Sequence, residues 1–240
     1  MLKIDNLTVE VDNRTVLRNF NLTVGDGGVH VLLGPNGSGK TSLLLTILGI
    51  PTYNVVSGEI HFNGRDITHY SINERVKLGI GLAFQRPPTL RGIKLGDIIN
   101  ICMGKIAENV AEEAIELAAK LNFSREFLER DVNLGFSGGE IKRSEILQLI
   151  AQKPSFAMLD EPDSGVDVEN IELVGRAINE LLSKGSGLIV THLGYILRYI
   201  KADKAHVMAD GKIACSGAPL EILQNIMEKG YEGCIKCLRS

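Results

Sequence analysis

Along its opening stretch the chain alternates apolar and polar side chains, from residue 2 to 10 and again from 16 to 24. A period of two belongs to a half-buried strand. These runs therefore predict two strands joined by the polar turn Val11-Asp-Asn-Arg14, an antiparallel layer ahead of everything else. Next comes a mostly apolar, β-branched run carrying Val29, Val31, Leu32 and Leu33, which suits a strand buried on both faces. Thr41-Ser-Leu-Leu-Leu-Thr-Ile-Leu48 then reads as a buried helix that stops at Gly49 and Pro51. Glu59, Ile60, His61 and Phe62 lead into Asn63-Gly64, a hairpin signal, and Ser71-Ile-Asn-Glu74 fits a capping box opening a short helix. Leu78 to Phe84 returns to a strand, broken by Gln85-Arg-Pro-Pro88.

From about 95 to 131 the period changes to that of a helix, with Val110, Ala114, Leu117, Ala118 and Leu121 on one face and Glu112, Glu113, Glu116 and Lys120 off it. The acidic run reads as a solvated face. Beyond it the pattern predicts a helix over Ile141 to Gln152, a strand over Phe156 to Leu159, a helix over Val168 to Ser183, a strand over Leu188 to Thr191 and a helix over Leu193 to Ile200. Strands alternating with helices imply an α/β fold with a mostly parallel sheet covered on both faces, whose ligands bind beyond the C-terminal strand ends. The organisation expected is a single domain over 1–240: an antiparallel β layer and first part of the core in 1–86, an inserted helical subdomain in 87–134, the remainder of the core in 135–220 and a C-terminal segment in 221–240.

A chain of 240 residues is long enough for one such domain, and too short for two full ones. Its net charge of -3 lacks the basic footprint of a nucleic-acid binder. Its longest apolar stretches, such as Leu43 to Leu45 continuing to Ile50, fall far short of the roughly 20 residues a membrane span needs. No direct membrane insertion is expected. The alternating N-terminus lacks the basic-then-apolar order of a signal peptide, so a cytoplasmic location is the expectation. Cysteines at 102, 215, 234 and 237 make no disulfide framework in a chain of this size. Cys234 and Cys237 form a C-x-x-C pair that supplies only two of the usual four metal ligands, which leaves reduced thiols and a metal or redox site both open.

Three segments carry the chemistry. Gly34-Pro-Asn-Gly-Ser-Gly-Lys-Thr41 fits the P-loop pattern, which turns up by chance in a chain of this length on the order of one per cent of the time. Gly34, Gly37 and Gly39 can take positive φ and carry no Cβ, so the N–H groups along Gly34, Pro35, Asn36, Gly37, Ser38 and Gly39 can turn inward on a polyphosphate, pyrrolidine excepted. Lys40 would face the β and γ phosphates, Thr41 would give its hydroxyl to Mg²⁺, and Ser42 with the new helix's free N–H groups completes the cradle. The second segment, Met158-Leu-Asp-Glu-Pro162, is an apolar strand ending in two carboxylates. Asp160 would hold Mg²⁺, and Glu161 would orient and polarise the attacking water. His192 follows another strand, where it would contact the γ-phosphate, and Gln85 would sense Mg²⁺ and the attacking water. The third segment, Phe136-Ser137-Gly138-Gly139-Glu140, opens a helix and makes a second glycine-lined cradle for an anion.

Two phosphate cradles in one chain resemble the ATP-binding-cassette (ABC) ATPases, in which the Ser and Gly residues of one subunit close over the γ-phosphate on the other subunit's P-loop. That resemblance implies ATP as substrate, Mg²⁺, and a transient ATP-dependent homodimer, with Ser164-Gly-Val-Asp167 crossing its interface. Gly81-Leu-Ala-Phe-Gln-Arg-Pro-Pro88, Lys142-Arg143, Glu145-Ile-Leu-Gln148, Leu159-Asp-Glu-Pro-Asp-Ser-Gly-Val-Asp167 and Thr191-His-Leu with Ile196-Leu-Arg-Tyr-Ile200 are similar to the SufC family of iron–sulfur cluster assembly ATPases. Asp163 stands where transporter ATPases usually have Thr, and Glu140 where they more often have Gln. The partner implied is a SufB- or SufD-like scaffold protein. A nucleotide-binding subunit of a membrane transporter would share every catalytic residue and stays open as the alternative. No aromatic residue lies between Thr8 and Val16, where many ABC ATPases stack the adenine.

Overall fold

The computed structural model describes residues 1–105, 109–192 and 194–236, apart from the side chains of Val168 and of residues 234–236. β1 (Leu2–Val11) and β2 (Arg14–Val24) pair antiparallel, and β4 (Asn54–Phe62) with the short β5 (Arg65–Asp66) extends them into a layer of order β2-β1-β4-β5. Asn63 and Gly64 take positive φ between β4 and β5, as the type I′ hairpin requires. Between these come β3 (Val29–Leu33) and α1 (Lys40–Leu48), the latter ended by Gly49 in the left-handed conformation. α2 (Ile72–Lys77) opens with the Ser71 N–H donating to Glu74 Oε2 at 2.8 Å.

β6 (Ile80–Ala83), β9 (Phe156–Asp160), β10 (Ser186–Val190), β11 (Lys204–Ala209) and β12 (Lys212–Gly217) join β3 in the central sheet, order β12-β11-β3-β10-β9-β6. All neighbours run parallel except the edge pair β11–β12. Each central strand is buried on both faces. Leu32, Met158, Leu188 and Val190 point to a core shared with α1 and the antiparallel layer. Val31, Leu33, Leu159 and Ile189 point to a core built with the helices α6 (Gly138–Gln152), α7 (Val168–Leu182) and α8 (Pro219–Lys236). That double burial explains why the strands read as continuous apolar runs.

Several expectations are corrected. The insert is not helical throughout: β7 (Leu90–Lys94) and β8 (Asp131–Val132) form a small antiparallel ribbon, and only α3 (Leu95–Cys102), α4 (Glu112–Lys120) and α5 (Arg125–Leu128) are helical. Val110 lies ahead of α4; Ala114, Ala118 and Leu121 are buried as expected. The helix expected over Leu193 to Ile200 is a 3₁₀ turn over Tyr195–Arg198, with Leu193 outside the described residues. Gly194 lies inside the expected span at φ 68°, outside the right-handed helical region, so no continuous α-helix can run through it. The 204–217 hairpin, set on the turn Asp210-Gly211, was not foreseen.

His206 of β11 and His30 of β3 meet in the core, Nε2 to Nδ1 3.0 Å apart, while His206 Nδ1 lies 2.6 Å from Ser216 Oγ. Burial, then His30 and then Lys204 push the His206 pKa down to about 4. Burial and Lys204 lower that of His30 as well, against Asp203. The unfolded chain takes up a proton near pH 6.5 that the folded His206 refuses until about pH 4. Stability is therefore full above the upper value and lost as pH falls through this window, on the order of 3 kcal/mol at most for His206. Urea midpoints measured from pH 7 to 4.5 should fall, and the slope should flatten in His206→Gln. A midpoint independent of pH would refute the assignment.

Candidate functional site

The turns leaving the C-terminal ends of β3, β9 and β10 converge on one edge of the sheet. After β3, Gly37 and Gly39 take φ of 78° and 103°, and a Cβ on Gly39 would stand 2.9 Å from the Val16 carbonyl oxygen. Glycine is required there on both counts. Lys40 begins α1 and is buried; its Nζ donates to the carbonyls of Gly34 at 2.7 Å and Pro35 at 3.0 Å. Burial draws its pKa down, opposed by Glu161 and Asp160. A desolvated cation is thus held at the mouth of a loop of N–H donors.

Thr41 Oγ1 donates to Asp160 Oδ2 at 2.9 Å. Asp160 closes β9, and its Oδ1 is buried with no hydrogen-bond partner. Burial raises the Asp160 pKa, opposed first by the Thr41 hydrogen bond. A hydroxyl beside a buried carboxylate with an oxygen to spare is a hard donor set of the kind Mg²⁺ takes. Glu161 sits in the left-handed region at φ 49°, its N–H bonded to the Val190 carbonyl at 2.8 Å. For a residue other than glycine this costs about 1–3 kcal/mol and is typical of functional turns. Its carboxylate gathers the other candidates. Gln85 Nε2 donates to Oε2 at 2.7 Å, and His192 Nδ1 lies 3.3 Å from Oε1, close but outside hydrogen-bond alignment.

Lys40, Thr41, Ser42, Gln85, Glu161 and His192 line a cleft of about 1050 Å³, together with Asn36, Gly37 and Gly39. Gly34, Pro35, Ser38 and Asp160 are not among its lining residues; Gly34, Pro35 and Asp160 meet it through their bonds to Lys40 and Thr41. Arg14, Thr15, Val16 and Arg18 of β2 and the Asp210-Gly211 turn line it as well. Backbone bonds lock that junction: Arg18 N–H to the Gly211 carbonyl and Gly211 N–H to the Ser38 carbonyl, each 3.1 Å. Sequence reasoning missed this part of the lining. The Asp-Gly turn was a visible signal, but nothing local places residue 210 beside residue 16.

Lys142 and Glu145, quoted above only for their resemblance, turn out to hold the site together. Lys142 Nζ donates to the carbonyls of Gln85 at 2.9 Å and of Phe84 and Asp160 at 3.3 Å, while Glu145 Oε2 accepts the Phe84 N–H at 3.0 Å. Burial lowers the Lys142 pKa and raises that of Glu145. Asp163 accepts from Thr191 Oγ1 at 2.9 and 3.1 Å, tying the loop after Glu161 to the loop of His192.

Ser137, Gly138, Gly139 and Glu140 do not line the cleft. Ser137 caps α6, its Oγ accepting the Glu140 N–H at 3.3 Å and its N–H donating to Glu140 Oε2 at 2.7 Å. A Cβ on Gly138 would stand 2.8 Å from the Gly165 carbonyl oxygen, so the loop that begins at cleft-lining Ser164 passes directly onto this second cradle. Among the described residues no group of three or more His, Cys, Asp or Glu side chains is placed to hold a metal ion, and no helix is long and apolar enough to cross a membrane. Cys237 and the Cys234 side chain lie outside the described residues.

A strand, a glycine loop and a helix, beside a strand ending in paired carboxylates, define a P-loop nucleotide-binding cassette. The family model described as ABC transporter matches residues 17–164. A probable ABC transporter ATP-binding protein of Streptococcus pyogenes serotype M18 is 38% identical, over 97% of this chain and 94% of its own length. A probable ATP-dependent transporter of Synechocystis is also 38% identical, over 97% of this chain and 94% of its own. Among solved structures, an ATP-binding cassette of an ABC transporter in its ADP conformation superposes with a TM-score of 0.77 at 28% identity, covering 95% of both chains. This chain belongs to the ABC transporter ATP-binding family. It is an ATP-binding, ATP-hydrolysing cassette of that family.

Proposed function

We propose that this chain is the ATPase subunit of an iron–sulfur cluster assembly complex, in which two copies closing on ATP rearrange a SufB- or SufD-like scaffold. The observation that carries the closing step is the separation of the cradles. The cleft holds Lys40 and Glu161 but none of residues 137–140, and on this reading a second copy supplies the Ser137-Gly138-Gly139-Glu140 face. Only the closed pair satisfies both cradles, so ATP binding favours it and hydrolysis releases it.

Within the site, Lys40 and the loop N–H groups bind the β and γ phosphates. Thr41 and Asp160, with Gln85 beside them, would hold Mg²⁺, which when bound screens phosphate charge. Glu161 orients a water and draws on its proton as the water oxygen bonds the γ-phosphorus and the bond to the ADP oxygen breaks. His192 contacts the γ-phosphate. Beside Gln85, a groove of about 280 Å³ lined by Phe84, Pro87, Pro88, Leu90, Cys102 and Leu149 offers a partner an apolar seat. Lys142 and Glu145 bind the same segment, so a partner pressing there acts on Gln85 and, through the Asp160 carbonyl, on the carboxylate strand.

The scaffold reading is supported by Asp163 with its Thr191 partner and by Glu140 in the α6 capping box, the two positions that depart from transporter usage. The relatives' own names favour the second reading, a transporter's nucleotide-binding subunit. Purification of the chain from its native cell at mild ionic strength decides between them. Association with a scaffold protein free of membrane spans, and ATPase stimulation by that purified scaffold, is expected; a multispanning membrane protein in its place would overturn the assembly role.

A further inference from the structure

α8 plays no part in the chemistry above, yet it reaches the site. Its first turns are anchored: Ile222 and Leu223 are buried in the core that also holds Leu33 and Leu197. A Cβ on Gly194 would stand 2.7 Å from Leu223 Cδ1, so the loop after His192 lies directly on this helix. α8 then breaks at Gly230, with φ 65° and ψ 177°. That region of backbone space is essentially reserved for glycine. Nothing lies within 4 Å of where a Gly230 Cβ would go, so glycine is there for its backbone and not for room. Beyond the kink, Tyr231 Oη donates to the His192 carbonyl oxygen at 2.6 Å.

We propose that Tyr231 is a positioning residue for His192, through which the C-terminal helix sets the rate of ATP hydrolysis. The proposal rests on the role given to His192 above. The His192 loop is held from two sides. Thr191 Oγ1 donates to the Asp163 carboxylate at 2.9 Å and accepts the Gly194 N–H at 3.2 Å, and Tyr231 holds the carbonyl that lies between these points. Fixing that carbonyl removes one of the ways in which the backbone carrying the His192 side chain can move. The imidazole is thereby kept over Glu161, 3.3 Å from Oε1, facing the cleft. Without the hydroxyl the peptide can rotate, and the ring samples orientations that miss the γ-phosphate. A displacement of this size costs rate without costing affinity, because P-loop contacts bind the nucleotide independently of His192.

Tyr231→Phe removes the hydroxyl and keeps the ring. Steady-state ATPase kinetics of Tyr231→Phe, His192→Ala and the double variant test the proposal, with thermal unfolding recorded for each. Expected is a kcat about three- to tenfold below the parent in Tyr231→Phe, with KM for ATP within about twofold, and no further loss when the substitution is added to His192→Ala. Gly230→Ala, which strains the kink, should lower kcat in the same way. A parent-like kcat in Tyr231→Phe beside a crippled His192→Ala overturns the positioning role alone. So does an equal fractional loss in both backgrounds, or a raised KM at constant kcat. A silent His192→Ala overturns the role of His192 itself, and the Tyr231 proposal with it.

Discussion

Replacing Glu161 with Gln is expected to leave ATP bound while turnover falls at least about a hundredfold, the usual contribution of a positioned general base. The amide keeps the shape of the side chain, so Gln85 still has an oxygen to bond where it now donates to Glu161 Oε2 at 2.7 Å. What is lost is the basic carboxylate. In the proposed cycle hydrolysis releases the closed pair, so the variant should also accumulate as a dimer when ATP and Mg²⁺ are present. Phosphate release assays and light scattering with and without ATP measure both effects. Parent-rate hydrolysis would remove Glu161 as the catalyst.

Lys40→Ala should abolish measurable turnover and weaken nucleotide binding by roughly ten- to a hundredfold, since a charge-assisted hydrogen bond contributes about 1.5–3 kcal/mol. Its ammonium already stands at the loop, bonded to the Gly34 and Pro35 carbonyls. Phosphate oxygens entering the cleft would compete for these donors, and burial has already removed the competing water. The helix N-terminus behind it adds only about 0.3–1 kcal/mol and does not compensate. Titration calorimetry with ATP and a coupled ATPase assay read the two losses separately. A variant with the parent's rate would refute the phosphate-binding role of Lys40.

The candidate site was legible because its patterns are local. A P-loop needs glycines, lysine and a hydroxyl within one turn, and a carboxylate pair at a strand end needs only the apolar run before it; residues 34–42 and 156–161 carry both patterns in the order of the chain. The antiparallel layer, the Asn63-Gly64 hairpin and α6 were legible for the same reason, although α6 begins at Gly138, ahead of its apolar pattern, because Ser137 and Glu140 cap it. The Leu193 to Ile200 helix was misread because its apolar spacing ignores Gly194. The β11–β12 hairpin went unseen because its residues make sense only against β3.

By itself the sequence determined that this is an α/β nucleotide-binding cassette and pointed to the candidate residues of its P-loop and carboxylate strand, since backbone freedom, charge and period are properties of neighbouring residues. Only the tertiary structure decided what surrounds them. It brought Gln85 and His192 to the Glu161 carboxylate, set the Asp210-Gly211 turn against β2 beside the cleft, and pinned the Gln85 segment with Lys142 and Glu145. It also left the second cradle outside the cleft and carried the Tyr231 hydroxyl back onto the His192 loop. These contacts join residues far apart in the chain, and close packing of both sheet faces, which no local pattern encodes, is what fixes them.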